Sequence, residues 1–334
     1  MKELKLNHHH LPVKGVFRIS RSALTHIEVI RVEIIDGPHM GRGECRPYAR
    51  YDETPESVSR EIECMRGPIE AGLSPEALQD AMAAGAARNA LDCALWDLRV
   101  QKTGREIYQH IQLPPPRSRL SAYTISLGRP ETMAEAAQAA AQYPCLKIKI
   151  GTDNNLDAIQ AVLQARPDAT LIVDANEAMP ASLINRLVTL RGYERISLIE
   201  QPLRADDKTG FDPDFPIPIC ADEALHTRGD LPALWEQGYR AMNIKLDKSG
   251  GFSEAIATLK QAKEMGFMTM AGCMVASSLA MAPIIYLESL ADVIDLDGPL
   301  LLEEDYTPSL TYKGAYLQTP PKDLWGEPRS ACAG

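Results

Sequence analysis

Five short stretches of this chain share one pattern, an apolar run that meets charge at its end. They are Leu146-Lys147-Ile148-Lys149, Leu171-Ile172-Val173-Asp174, Leu198-Ile199-Glu200, Ile219-Cys220-Ala221-Asp222-Glu223 and Asn243-Ile244-Lys245. If these are parallel strands gathered around one axis, their carboxyl ends converge on the face where barrel enzymes build their sites. Asp174, Glu200 and Asp222 then meet, and three like charges raise one another's pKa and repel unless a cation neutralises them. A hard divalent cation does this with oxygen ligands. Mg²⁺ suits a few carboxylates with waters or substrate oxygens, and Mn²⁺ can substitute. Asn176 and Glu223 stand beside these ligands as supporting polar groups. A plain alternative is that each carboxylate caps the helix after its strand. That explains one such residue more readily than three on successive strands with lysines on either side.

Lys149 and Lys245 flank the expected metal site from opposite sides. A lysine near a metal and a second cation has its neutral form favoured and can act as a base near pH 7. Lys147, on the same strand face as Lys149, is the natural second cation. Two bases on opposite faces of one carbon are what a racemase or epimerase needs, one removing the proton and the other returning it. The metal would hold the substrate carboxylate and stabilise the ene-diolate formed between the two steps. Surface solvation is the competing reading of these lysines, and the neighbours Leu146, Ile148, Ile150, Ile244 and Leu246 argue against it.

The elements that must position these groups are legible as a change of pattern. Residues 29–35 and 41–45 read as strands of a hairpin around Asp36-Gly37-Pro38. Helical patterns follow at 55–71 and 74–100, the second containing GAARNALDCALWDL with Ala87, Leu91, Ala94, Leu95 and Leu98 at helical spacing. Pro114-Pro115-Pro116 makes a stiff extended connector and a domain boundary near residue 118. Beyond it, strands are expected at 121–127, 146–150, 170–174, 197–200, 217–222, 241–246, 267–272 and 292–297. Amphipathic helices such as 130–142 and 253–265 lie between most of them. Eight strands with regular crossovers in about 180 residues suggest a closed (β/α) barrel over 119–299. A proline-marked tail, 300–334, is expected to return to residues 1–118.

Composition narrows the partners. The chain has 334 residues, 45% hydrophobic and 24% charged, with a formal net charge of −10. Nucleic-acid binding needs clustered Lys and Arg, which such a balance does not favour, and an acidic surface is repelled by anionic lipids. The opening MKELKLNHHHLPVKG has no apolar core of a secretory signal, and no stretch approaches the roughly 18 apolar residues of a membrane span. Seven cysteines scattered singly read as reduced thiols in a cytoplasmic protein. His8-His9-His10 lies near a terminus without partner ligands and is not expected to be functional. A homo-oligomer is compatible with the sequence.

The order KIK, DAN, IEQP, ADE and NIK resembles the muconate-lactonizing branch of the enolase superfamily, and GECRPYARY and GAARNALDCALWDL resemble that family's cap. The resemblance covers nearly the whole chain. It implies a modified (β/α)7β TIM-type barrel under an α+β cap built from both chain ends. It also implies Lys149 and Lys245 as the acid/base pair and Asp174, Glu200 and Asp222 as metal ligands. Within the branch the chain is most similar to dipeptide epimerases of the L-Ala-D/L-Glu type. Asp295-Leu296-Asp297-Gly298-Pro299 resembles the D-x-D element that holds a substrate α-ammonium there, and Gly272–Ser278 resembles the loop after strand seven. Two carboxylates across the pocket from the metal suit a cationic amine. The implied activity is that of an isomerase, Mg²⁺-dependent inversion of the α carbon of the C-terminal residue of an L-Ala-Xaa dipeptide, with murein-peptide recycling as its setting.

The chain departs from that pattern at one place. A basic residue from the cap loop around 18–25 is expected to meet the glutamate side chain; Arg18 and Arg21 are present, but the position of the key arginine reads Leu24. Either another arginine serves, or the second residue is uncharged. Thr124 is a further expected substrate contact, and Tyr48 and Asp52 belong to the other loop expected to close the pocket. Among competing activities, o-succinylbenzoate synthases and N-acylamino acid racemases act on substrates without a free ammonium, which Asp295 and Asp297 discriminate against. A lysine Schiff-base aldolase needs no carboxylate trio. A barrel that binds without turnover has no use for two intact bases.

Overall fold

The computed structural model describes residues 2–19, 22–152 and 155–329, with the backbone alone at 18, 19 and 22. The chain opens with a three-stranded antiparallel sheet, β1 (Glu3–Ile19), β2 (Ser22–Asp36) and β3 (His39–Cys45). The expected hairpin is β2–β3. Helices follow at Pro55–Cys64, Arg66–Glu70, Pro75–Ala81 and Ala86–Thr103. The single helix expected over 74–100 is therefore two, parted at Gly85, whose φ of 149° a side-chain-bearing residue rarely adopts. The Ala86–Thr103 helix lies directly on β3. A Cβ at Gly41 or Gly43 would stand 2.1 Å from the backbone oxygen of Ala94 or Ala90, so only glycine permits this approach.

Strand β4 (Arg119–Leu120) leads into eight parallel strands, which are β5 (Tyr123–Ile125), β6 (Cys145–Lys149), β7 (Thr170–Asp174), β8 (Ile196–Glu200), β9 (Ile219–Ala221), β10 (Ala241–Ile244), β11 (Met268–Gly272) and β12 (Val293–Asp295). Each pairs with its neighbour in chain order. Between β12 and β5 the sheet is drawn together by the Ala122 amide donating to the Ile294 oxygen at 2.8 Å. The result is a nearly closed barrel. Helices connect most strands, as at Pro130–Ala139 and Phe252–Met265, but among the described residues none stands between β8 and β9. Strands β13 (Tyr312–Lys313) and β14 (Tyr316–Leu317) pair back onto β4. The tail then reaches the first sheet: Val13 bridges Leu302, and the fully buried Trp325 donates Nε1 to the oxygens of Arg42 and Cys93 at 3.0 and 3.1 Å.

Period-two alternation places the chemistry. Ala122, Ile172, Leu198, Cys220, Ala241 and Met270 form one apolar cluster. Two residues further along their strands, on the same face, come Thr124, Asp174, Glu200, Asp222, Asn243 and Gly272. The apolar layer seals the barrel and the next layer is polar.

Candidate active site

Strand register brings the charged residues into one row. Lys149 pairs with Asp174 and Asp174 with Glu200 across β6, β7 and β8, while Thr124 pairs with Lys147 across β5 and β6. Asp174, Glu200 and Asp222 are buried, with exposures of 0%, 0% and 1%. Lys149 donates to Asp174 Oδ2 at 2.5 Å, and Lys245 to Asp222 Oδ2 at 2.6 Å. Because β6 and β10 are four strands apart in a ring of eight, these two ammonium groups come from opposite walls of the barrel.

Lys147 reaches further than a charge beside Lys149 requires. Its Nζ lies 3.1 Å from Asp174 Oδ2, 2.7 Å from Glu200 Oε2 and 2.7 Å from Asp295 Oδ2. Burial works against this ammonium, but Asp295, Glu200 and Asp174 outweigh it and hold its pKa well above the ordinary lysine range. Lys245 is likewise held up against its burial by Asp222 and Glu200. With the protein's own charges alone, both lysines are ammonium, the reverse of what a neighbouring cation by itself would do. The carboxylates answer unequally. Burial and the charges of Asp174 and Asp222 push Glu200 up to about 8, whereas for Asp222 the lysines overcome burial and hold it well below the carboxylate range.

Three buried carboxylates, one of them poorly ionised beside its neighbours, form an oxygen donor set short of positive charge, which fits a hard divalent cation. Among the described residues no three His, Cys, Asp or Glu groups close on one point, because lysine ammonium groups stand between the carboxylates. Asn176 and Glu223 lie in the same pocket, with Asn176 Nδ2 donating to Glu223 Oε1 at 3.2 Å and the Asn176 amide to Asp174 Oδ1 at 2.9 Å.

The other wall carries Asp295 and Asp297. Asp295 accepts from Lys147 on Oδ2, while among the described residues its buried Oδ1 has no hydrogen-bond donor. Asp297 Oδ2 accepts from the Thr124 amide at 2.7 Å, and burial with the Asp295 charge pushes Asp297 up to about 6. Thr124, Leu24 and Tyr48 also line the pocket, whereas Asp52 is exposed and is not part of it. Arg21, and the side chain of Arg18, lie outside the described residues.

Sequence reasoning missed three buried partners. Lys248 donates to both Oδ1 and the backbone oxygen of Asp222; its signal was the spacing of three from Lys245. Asn243 Nδ2 donates to Glu200 Oε1 at 2.9 Å, from the strand that ends in Lys245. Gln201, within IEQP, accepts the Asp222 and Ala224 amides on Oε1 at 2.9 and 3.0 Å from a left-handed backbone with φ 35°. Such strain concentrates where surrounding structure fixes a site.

Carboxylates and lysines from facing strands at the carboxyl end of a barrel, roofed by an α+β cap, define a barrel enzyme built for proton transfer. The family model described as "Enolase C-terminal domain-like" matches residues 131–323, and the chain belongs to the enolase superfamily. L-Ala-D/L-Glu epimerase of Escherichia coli (strain K12) is 38% identical over 93% of this chain and 98% of its own length. N-acetyl-D-glutamate racemase of Pseudoalteromonas sp. is 39% identical over 89% of this chain and 95% of its own. The crystal structure of an enolase family member from Agrobacterium tumefaciens with homology to dipeptide epimerases, with bound sodium and L-Ala-L-Glu, superposes with TM-score 0.93 at 42% identity, covering 98% of this chain and all of that one. A dipeptide epimerase from Enterococcus faecalis complexed with Mg and L-Leu-L-Tyr is 25% identical with TM-score 0.88, covering 98% and 99%.

Proposed function

We propose that this chain is a Mg²⁺-dependent dipeptide epimerase that inverts the α carbon of the C-terminal residue of an L-Ala-Xaa dipeptide, L-Ala-Glu foremost. The carrying observation is the placement of Lys149 and Lys245 on opposite barrel walls, each against a different carboxylate of one row. Asp174, Glu200 and Asp222 would hold the divalent cation. When bound, it would supply positive charge for the substrate carboxylate, drawing on the oxygens that pair with the lysines. One lysine then takes the α proton from one face and the other delivers a proton to the opposite face. Lys147 keeps the carboxylate row and Asp295 in place. Asp295 and Asp297 receive the substrate ammonium, which satisfies the buried Asp295 Oδ1. A cytoplasmic location accords with the described cysteines, all free thiols.

The test is solvent deuterium incorporation. Purified protein with Mg²⁺ and L-Ala-L-Glu in D₂O should add one mass unit to the dipeptide as its stereoisomer appears. Lys149→Ala and Lys245→Ala should each abolish epimerisation while retaining exchange on one stereoisomer only. Full epimerisation by either variant would sink the two-base scheme.

A further inference from the structure

The pocket extends from the carboxylate row toward the cap, where Phe17, Leu24, Val275 and Leu301 give it apolar walls. Among the described residues four cationic side chains line it, and three of them, Lys147, Lys149 and Lys245, are in ion pairs. The fourth, Arg46, differs. It is 7% exposed, and among the described residues its guanidinium makes one hydrogen bond, from Nη1 to the Val275 oxygen at 3.1 Å, and no ion pair with a carboxylate. The Tyr48 ring lies 5.3 Å from the guanidinium carbon. Asp247 meets Arg46 through the backbone, its Oδ1 accepting the Arg46 amide at 3.2 Å and Asn89 Nδ2 at 2.8 Å.

A guanidinium withdrawn from water with no carboxylate in ion-pair contact is costly, and burial lowers its pKa although Tyr48 and the charge of Asp247 partly offset it. Its backbone is fixed at the end of β3, where Asn89 Nδ2 also reaches the Glu44 oxygen at 3.3 Å. A planar fork on a fixed backbone is suited to receive a carboxylate. We propose that Arg46 sets the specificity of this pocket by binding the side-chain carboxylate of an acidic second residue in the dipeptide. The inference rests on the epimerase reading. It also accounts for Leu24: the cation comes from the end of β3 and the loop position expected to be basic contributes an apolar wall.

The experiment compares kcat/KM for L-Ala-L-Glu and its neutral isostere L-Ala-L-Gln in wild type, Arg46→Met, Arg46→Lys and Arg21→Met. The wild type should prefer Glu by roughly 100-fold, the worth of a charge-assisted hydrogen-bonded pair. Arg46→Met should lose most of that factor on Glu and far less on Gln, and Arg46→Lys should keep part of the preference. A parallel fall on both substrates in Arg46→Met, an unchanged ratio, or loss of preference in Arg21→Met alone would overturn the assignment. If Arg46→Met does not fold, the ratio in Arg46→Lys decides, and an undiminished preference there rejects the role. Wild type that exchanges both dipeptides equally leaves the epimerase standing and removes Arg46 from specificity. Wild type that exchanges neither overturns the epimerase reading and this one with it.

Discussion

Asp247 sits buried where cap and barrel meet, and Asp247→Asn should change how stability depends on pH. Burial pushes its carboxyl up to about 6, against an ordinary 3.8, even though Asn89 and the Arg46 amide donate to it. Below the unfolded value the group is protonated in both states and contributes nothing. Between 3.8 and about 6 the unfolded chain ionises while the folded one stays protonated, so stability drains as pH rises. Above that window the full penalty, about 3 kcal/mol, is in place. An asparagine presents a carbonyl oxygen to the same two donors and carries no charge. The variant should therefore gain on the wild type by about 3 kcal/mol between pH 4 and pH 8, or roughly 4 °C in Tm for a chain of this size. Glu44, Glu53 and Asp92, each pushed up to about 7 by burial, titrate in both proteins; Glu44 and Glu53 also feel the Asp247 charge and ionise more readily in the variant, so the rise in the difference between pH 4 and pH 6 is the part that reports Asp247 itself. Thermal melts across that range measure it. A Tm difference that stays constant with pH would refute the reasoning, because only a titrating group makes it vary.

Two further substitutions probe the charge row. Lys248→Met removes a buried partner of Asp222 and should cost about 3–5 kcal/mol of stability without metal, with Mg²⁺ restoring part of the loss. Equal Tm losses with and without Mg²⁺ would show that the cation does not draw on Asp222. Asp297→Asn keeps an acceptor for the Thr124 amide and should raise KM for L-Ala-L-Glu while affecting N-acetyl-L-glutamate less. Equal effects on the two would remove Asp297 from ammonium binding.

The barrel was legible because five successive strands, β6 to β10, are apolar runs that meet charge where they enter the pocket. Residues 170–174 were expected as a strand and β7 has those bounds. Strand β1 was not legible: Pro12, Gly15 and three consecutive histidines interrupt any alternation, and its seventeen residues are held by pairing with β2. The alanine-rich stretch at 74–100 hid a break, since alanine favours helix on both sides of Gly85. Within the pocket, charges at strand ends could be read from spacing. Asn243 and Gln201 could not, because what gives them meaning is a partner on another strand or loop, and the spacing of Lys248 from Lys245 marks a nearby charge without revealing its partner Asp222.

The four buried lysines divide by what surrounds them. Lys147 and Lys248 are the more enclosed, at 2% and 3% exposure, and each holds more than one oxygen of the site. Lys147 spans Asp174, Glu200 and Asp295, so moving it would leave several buried charges uncompensated at once. Lys149 and Lys245, at 8% and 7%, each hydrogen-bond a single carboxylate oxygen and line the pocket. A base must give up its proton and take another within one turnover. That is feasible for an ammonium with one partner and an open side, and costly for one that braces a network. The expected role of Lys147 as a charge beside Lys149 is therefore secondary to its hold on the carboxylate row, and in the proposed mechanism the proton traffic falls to the pair on opposite walls.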